Sequence, residues 1–118
     1  MAITTVTPVK QVLNTPAKVC TPAASDAESG WRVKPAAADQ KVRLTFVNSD
    51  SSNAETVVIK GGTFAPSAVG DLSFSIPASE TYGVTVESGK YLQMTGDNAG
   101  YIIGTATADV GVACDILP

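Results

Sequence analysis

Histidine is missing from all 118 residues of the sequence. Its absence removes the commonest general base, the Ser–His and Cys–His nucleophile pairs and the usual transition-metal ligand together. Cysteine is nearly absent too, with only Cys20 and Cys114, whose separation lacks the paired spacing of a zinc site. The opening MAITTVTPVKQV has no basic stretch followed by an apolar one, so no secretory signal is read there. The chain is therefore expected to work inside a cell, or to leave it by lysis or a dedicated route. In a reducing compartment two buried thiols are expected rather than a bridge. Cys114 falls on the apolar parity of VGVACDIL, where a thiol packs as a small hydrophobe.

Charge is scarce as well. Charged residues make up 16% of the chain, against about 25% in an ordinary globular domain, and a surface so poor in charge is common where faces pack on neighbours. The net charge is −3 and the eight basic residues are scattered singly, so no cationic face for nucleic acid is expected. No apolar run is long enough to cross a membrane as a helix, so no membrane partner is expected. The glycines show no phosphate-loop spacing, and Asp97-Asn98 in TGDNAG lacks the register of a calcium loop. The acidic residues fall mostly in turns and at strand ends, where solvated carboxylates are expected; a glycosidase would need two of them converging across a cleft. No catalytic, cofactor-binding or metal-ligating residue is expected, and the chain reads as a non-enzyme without a cofactor.

What the sequence does contain is alternation. In KVRLTFVNSDSSNAETVVIK, Val42, Leu44 and Phe46 alternate with Arg43 and Thr45, the period of a strand with one buried face. Val57 and Ile59 repeat the pattern beyond a loop, Asn48 to Ala54, rich in turn-forming Ser, Asn and Asp. The simplest expectation is a β-hairpin. Further strands are expected at Leu72–Ile76, stopped by Pro77, at Tyr82–Val86, at Lys90–Met94, from Tyr101 to Ile103, and from Val110 to Ile116. GGTFAPSAVGD and PAAADQ read as connections. Strands about ten residues apart with polar turns between them predict an all-β chain, an antiparallel β-sandwich of jelly-roll or immunoglobulin-like type. The hydrophobic share of 44% and the length suit one domain.

Residues 1–40 read differently. Pro8, Pro16, Pro22 and Pro35 punctuate short β-prone pieces, and proline lacks the N–H a sheet interior needs. This predicts an extended N-terminal arm with edge strands over residues 1–40, ahead of a sandwich body at 41–118; the arm either lies across its own domain or a neighbouring subunit, or is simply the first two strands of the sandwich. Trp31 beside Arg32 has the composition of an interface anchor, against the commoner use of a Trp as core. Ile3, Val6, Val9, Val12, Leu13, Trp31 and Arg32 are the candidate interface residues. Tyr91, Tyr101 or Trp31 would be the stacking platforms if the sandwich bound carbohydrate.

The order of features from Lys41 onward resembles that of small structural proteins of tailed bacteriophages, especially capsid decoration (cement) or head-associated proteins. The matching pieces are KVRLTFVNSDSSNAETVVIKGG, GDLSFSIPASETYGVTVES, GKYLQMTGDNAGYI and the closing VGVACDILP. The resemblance implies a β-sandwich on the capsid exterior of a virion, made in the host cytoplasm. Its partners would be the major capsid protein and neighbouring copies of itself, as a homo-oligomer such as a trimer. A fibre, tail or baseplate component is the alternative within the same kind of particle. The resemblance supplies no signature residue, so the interface residues above rest on physical chemistry alone.

Overall fold

The computed structural model describes residues 3–16, 18–26, 28–35, 41–62, 70–87, 91–93, 96–107 and 109–117. Its named elements are ten strands: β1 (Thr4–Val6), β2 (Val9–Lys10), β3 (Ala23–Ala24), β4 (Trp31–Val33), β5 (Lys41–Asn48), β6 (Glu55–Ile59), β7 (Leu72–Ile76), β8 (Thr81–Glu87), β9 (Ile102–Ala106) and β10 (Val110–Ile116). They form two packed sheets, and the chain is an all-β sandwich as its alternation predicts. One sheet has the order β1-β4-β9-β6-β7 and the other β2-β10-β5-β8, with β3 also on β10.

The expected hairpin of β5 and β6 does not form. β5 pairs with β10 and β8, whereas β6 pairs with β7 and β9 in the opposite sheet. The polar loop between them is an arch that carries the chain from one layer to the other. The physical reason lies in the inward sets. Val42, Leu44, Phe46 and Asn48 of β5 face Val57 and Ile59 of β6 across the core, and all six are buried. Two strands that each bury one face satisfy their apolar sides against each other as well as in one sheet. The β9–β10 connection crosses in the same way, so β5–β6 and β9–β10 clasp each other: β5 lies beside β10 and β6 beside β9.

The sheets are mixed rather than purely antiparallel. β1 runs parallel to β4 and β2 runs parallel to β10. The N-terminal residues thus serve both layers in turn. They start on the first sheet, cross at Thr7-Pro8 to the second, return as β3 on the same edge of β10, and re-enter the first sheet as β4. The proline-rich pieces do lie at edges, as proline requires, but they are strands of this sandwich rather than a free arm, and β4 sits inside its sheet between β1 and β9. Of the expected Lys90–Met94 strand, Lys90 and Met94 lie outside the described residues. Leu92 makes a single bridge to Ile102. The connections around Phe64 and over 36–40 also fall outside them.

Trp31 is the largest side chain in the core and is fully buried. Its indole lies against Phe46, centroids 5.5 Å apart, and against the backbone of Gly104, its register partner on β9. A Cβ at Gly104 would collide with the Trp31 ring and with the Val58 carbonyl. Gly30, at φ 81°, turns the chain into β4 where a Cβ would meet the Gly104 carbonyl. A Gly104→Ala substitution therefore displaces the Trp31 ring or spreads two strands, and we expect it to lower unfolding stability by about 3 kcal/mol in a denaturant titration.

The arches are fastened by one buried polar side chain. Asn48 is 2% exposed, and its Nδ2 group shares two hydrogens among the carbonyls of Asn53, Ile76 and Pro77 at 3.1 to 3.2 Å. Its Oδ1 accepts the Asp50 N–H at 2.9 Å. Removing the side chain leaves buried carbonyls unpaired, each costing about 1–3 kcal/mol. Both Asn48→Ala and Asn48→Asp, which lacks N–H donors, should lose about 3 kcal/mol of unfolding stability, and equal stability of either variant would remove Asn48 from this role.

Candidate interaction surface

The segment 11–22 is held against the outer side of β10 by contacts near both its ends. Gln11 donates its backbone N–H to the Ile116 carbonyl at 2.8 Å, and its side-chain amide reaches Asp115 Oδ1. That same oxygen accepts the Cys20 N–H at 3.0 Å. Asp115 is on the outward parity of β10, yet the segment laid over it buries it. Between these anchors the chain turns at Val12–Thr15, with Asn14 at φ 58°, a left-handed conformation that Asn tolerates better than most residues. Three large apolar side chains stand out from this short stretch: Val12 is 56% exposed, Leu13 72% and Val19 67%. Gln11 and Cys20 are thus fastened to β10 while the apolar side chains of Val12, Leu13 and Val19 face solvent.

The candidate interface residues separate on this geometry. Val12 and Leu13 lie at the exposed turn. Ile3 and Val9 are half-buried. Val6 and Trp31 are core residues, at 3% and 0% exposure, so neither offers a side chain to a partner. The Trp lost that role because its strand is internal to a sheet and its ring fills the space above Gly104. Arg32 points the other way, out of the first sheet, where its guanidinium lies 4.5 Å from the centroid of the Tyr101 ring. Nε donates to Thr5 Oγ1 at 3.0 Å and Nη1 to Asn98 Oδ1 at 3.2 Å.

Lys34 adds its ammonium 5.8 Å from the same ring. The carbohydrate platform does not assemble: Trp31 is inside, Tyr91 packs against the core, and Tyr101 is covered by two cations. Sequence reading missed Lys34 and Tyr101 as partners of Arg32, because the contact joins β4 to the turn before β9, far apart in the chain.

Carboxylates elsewhere act on the local backbone. Asp26 caps the turn before β4 by accepting the Ser29 N–H at 2.7 Å, and this bond holds its pKa below the ordinary 3.8. Asp50 accepts the N–H groups of Ser52 and Asn53 in the β5–β6 arch, and is lowered chiefly by the Ser52 bond. Two grooves, of about 350 and 250 Å³, are lined by one carboxylate each, Asp109 and Asp115. Neither brings two acids together, as glycoside cleavage would require.

Both cysteines are free and buried. Burial pushes the Cys114 thiol up to about 12, helped by Cys20 and Asp115. A group whose folded pKa is raised keeps its proton longer in the folded state. Its contribution is therefore whole below the ordinary 9.0 and is lost as pH climbs toward about 12. In a Cys20→Ser variant, the remaining thiol should stay silent to an aromatic disulfide reagent at pH 8 and react only after denaturant is added, since the thiolate is the nucleophile. Rapid labelling of the folded variant would contradict this burial. Compared with family models, with curated proteins and with solved structures, the chain finds no match.

Proposed function

We propose that this chain is a non-catalytic docking protein of a tailed-bacteriophage virion, one that binds the outside of the assembled capsid and stabilises it. The observation that carries the reading is the anchored segment 11–22, with Val12, Leu13 and Val19 exposed on a backbone already fastened to β10. A partner that covers these side chains gains about 25 cal/mol per Å² of apolar surface removed from water. The turn at Val12–Thr15 and the anchors at Gln11 and Cys20 are formed already, and preorganisation of that kind raises the affinity of a small contact. The order of strands and turns along the sequence, which resembles that of decoration proteins, is what supports a capsid as the partner.

The mechanism is mass action. A protein that binds only the assembled shell lowers the free energy of that shell relative to its separated subunits. Many copies on one lattice multiply the effect without any covalent step. The Arg32–Tyr101–Lys34 cluster lies on the outer face of the first sheet, the layer away from the segment 11–22, and is a separate cationic feature of an otherwise acidic chain.

The test is to add purified protein to undecorated shells of the major capsid protein encoded in the same genome. The reading expects a fixed number of copies per shell and a higher shell melting temperature. Leu13→Asp, whose own stability should change by no more than about 0.5 kcal/mol because the site is exposed, should lose most of that binding. Shells that take up no protein at any concentration would overturn the proposal.

A further inference from the structure

Among the described residues, the two sheets are closed on one side by the N-terminal strands and open on the other. There β8 is bonded to β5 alone and β7 to β6 alone, so each presents a free edge. Free edges are usually guarded by lysine, proline or a bulge, because their unpaired N–H and C=O groups template further pairing. β7, LSFSI, has no charge and β8, TYGVTVE, has a charge only at its end; neither has a lysine or a proline. The side chains beneath the open side are only partly covered: Leu72, Phe74 and Val84 are half-buried, and Tyr82 is exposed with its ring stacked 6.3 Å from that of Phe74.

In the middle of β8 stands Gly83, the register partner of Thr45. A glycine inside a strand marks a bulge or a close approach, and here the approaching group is Arg43. Its Nε and Nη2 lie 3.4 and 3.6 Å from where a Cβ of Gly83 would be. Arg43 does not use Asp115, its register partner on β10, whose Oδ1 is engaged by Cys20 and Gln11. Among the described residues the ion pair is Lys60–Asp71, and Arg43 has no carboxylate. The guanidinium is thus laid across the glycine toward the edge of β8 and forms no ion pair there among the described side chains.

We infer that the free edge of β8 receives an extended segment of another protein as an added strand, and that Arg43 selects a segment with an acidic residue opposite Gly83. A strand paired to β8 lies about 4.8 Å from it, so its residue opposite Gly83 comes within reach of the guanidinium. Its neighbours on either side point to the other face, over Val84 and Tyr82, and are best apolar. The recognised pattern is apolar–acidic–apolar in extended conformation, the strand-addition mode in which main-chain bonds give affinity and alternate side chains give specificity. This edge lies on the side of the sandwich opposite β1–β3, so the inference stands apart from the capsid reading and from the segment 11–22.

The experiment uses the full chain, uniformly labelled with nitrogen-15, and two blocked hexapeptides, Thr-Val-Glu-Val-Thr-Val and the same with Lys for Glu. The Glu peptide is expected to shift amides of Thr81–Glu87 and slow their exchange, and to bind about fivefold more tightly than the Lys peptide, as cross-strand charge pairs allow. Arg43→Glu, at an exposed position, should reverse that preference, and Arg43→Gln should abolish it while leaving the spectrum folded. Shifts confined to other strands, an unchanged preference in Arg43→Glu, or β8 protection that appears without peptide as the protein concentration rises would overturn it. The last result would make a second copy the occupant.

Discussion

One buried amide holds together the end of the sandwich where the chain changes layers. β5 passes to β6, β7 to β8 and β9 to β10 across that end, and the three arches touch one another through Asn48 and its two successors. The Asn48 side chain bonds its own arch at Asn53 and the β7–β8 arch at Ile76 and Pro77. Its backbone N–H goes to Glu80. Ser49 donates both N–H and hydroxyl to the Asp109 carbonyl of the third arch, and the Asp50 carbonyl accepts the Ser79 N–H. Ser79 and Asp109 are themselves held at φ 63° and 68°, conformations that cost energy for residues other than glycine and persist only where neighbours over-determine them. Sheet pairing alone would leave the layers free to slide. These bonds fix their relative position, and the aromatic row Trp31, Phe46, Phe74, Tyr82 then fills the gap between them from one side to the other.

The two sides of that row have opposite characters. Toward β1 and β4 the packing is closed: the Trp31 ring lies against Gly104, and its Nε1 has no hydrogen-bond partner among the described residues. An unpaired buried donor costs about 1–3 kcal/mol, which the ring's burial has to exceed. Toward β7 and β8 the packing is more open among the described residues, with Tyr82 37% exposed and stacked on Phe74. The surfaces that can meet partners, the anchored turn at Val12–Thr15, the Arg32–Tyr101 cluster and the β8 edge, are all built on a core that needs none of their exposed atoms.

The strands were legible because alternation is a local property. Leu72–Ile76 ends at Pro77 as the proline dictates, and β10 carries Val110, Val112, Cys114 and Ile116 inward as its parity indicates. Which strand lies beside which was not legible. A polar loop of Ser, Asn and Asp suits a hairpin and an arch equally, and the arch depends on apolar faces meeting across the core and on Asn48 bonding residues nearly thirty positions away. The same limit applies to the surface. Val6, Val9, Val12 and Leu13 read alike in one proline-punctuated stretch, yet Val6 is core while Val12 and Leu13 are exposed, and Trp31, which read as core or anchor, is held inside with Gly104 opposite it. Gly83 stood in plain sight as a strand glycine, and only the fold shows that Arg43 occupies its missing side chain's place.

β10 carries neighbours on its full length: β5 on one edge, with β2 and β3 sharing the other. β2 and β3 are thus separated from the strand they flank by most of the other strands of the sandwich. Closing a loop over such a span is slow, and chains rich in distant pairings fold slowly. Until β10 is in place, the apolar side chains of these short pieces lack the strand they pair with. Their short length and the prolines between them disfavour pairing with stray strands meanwhile.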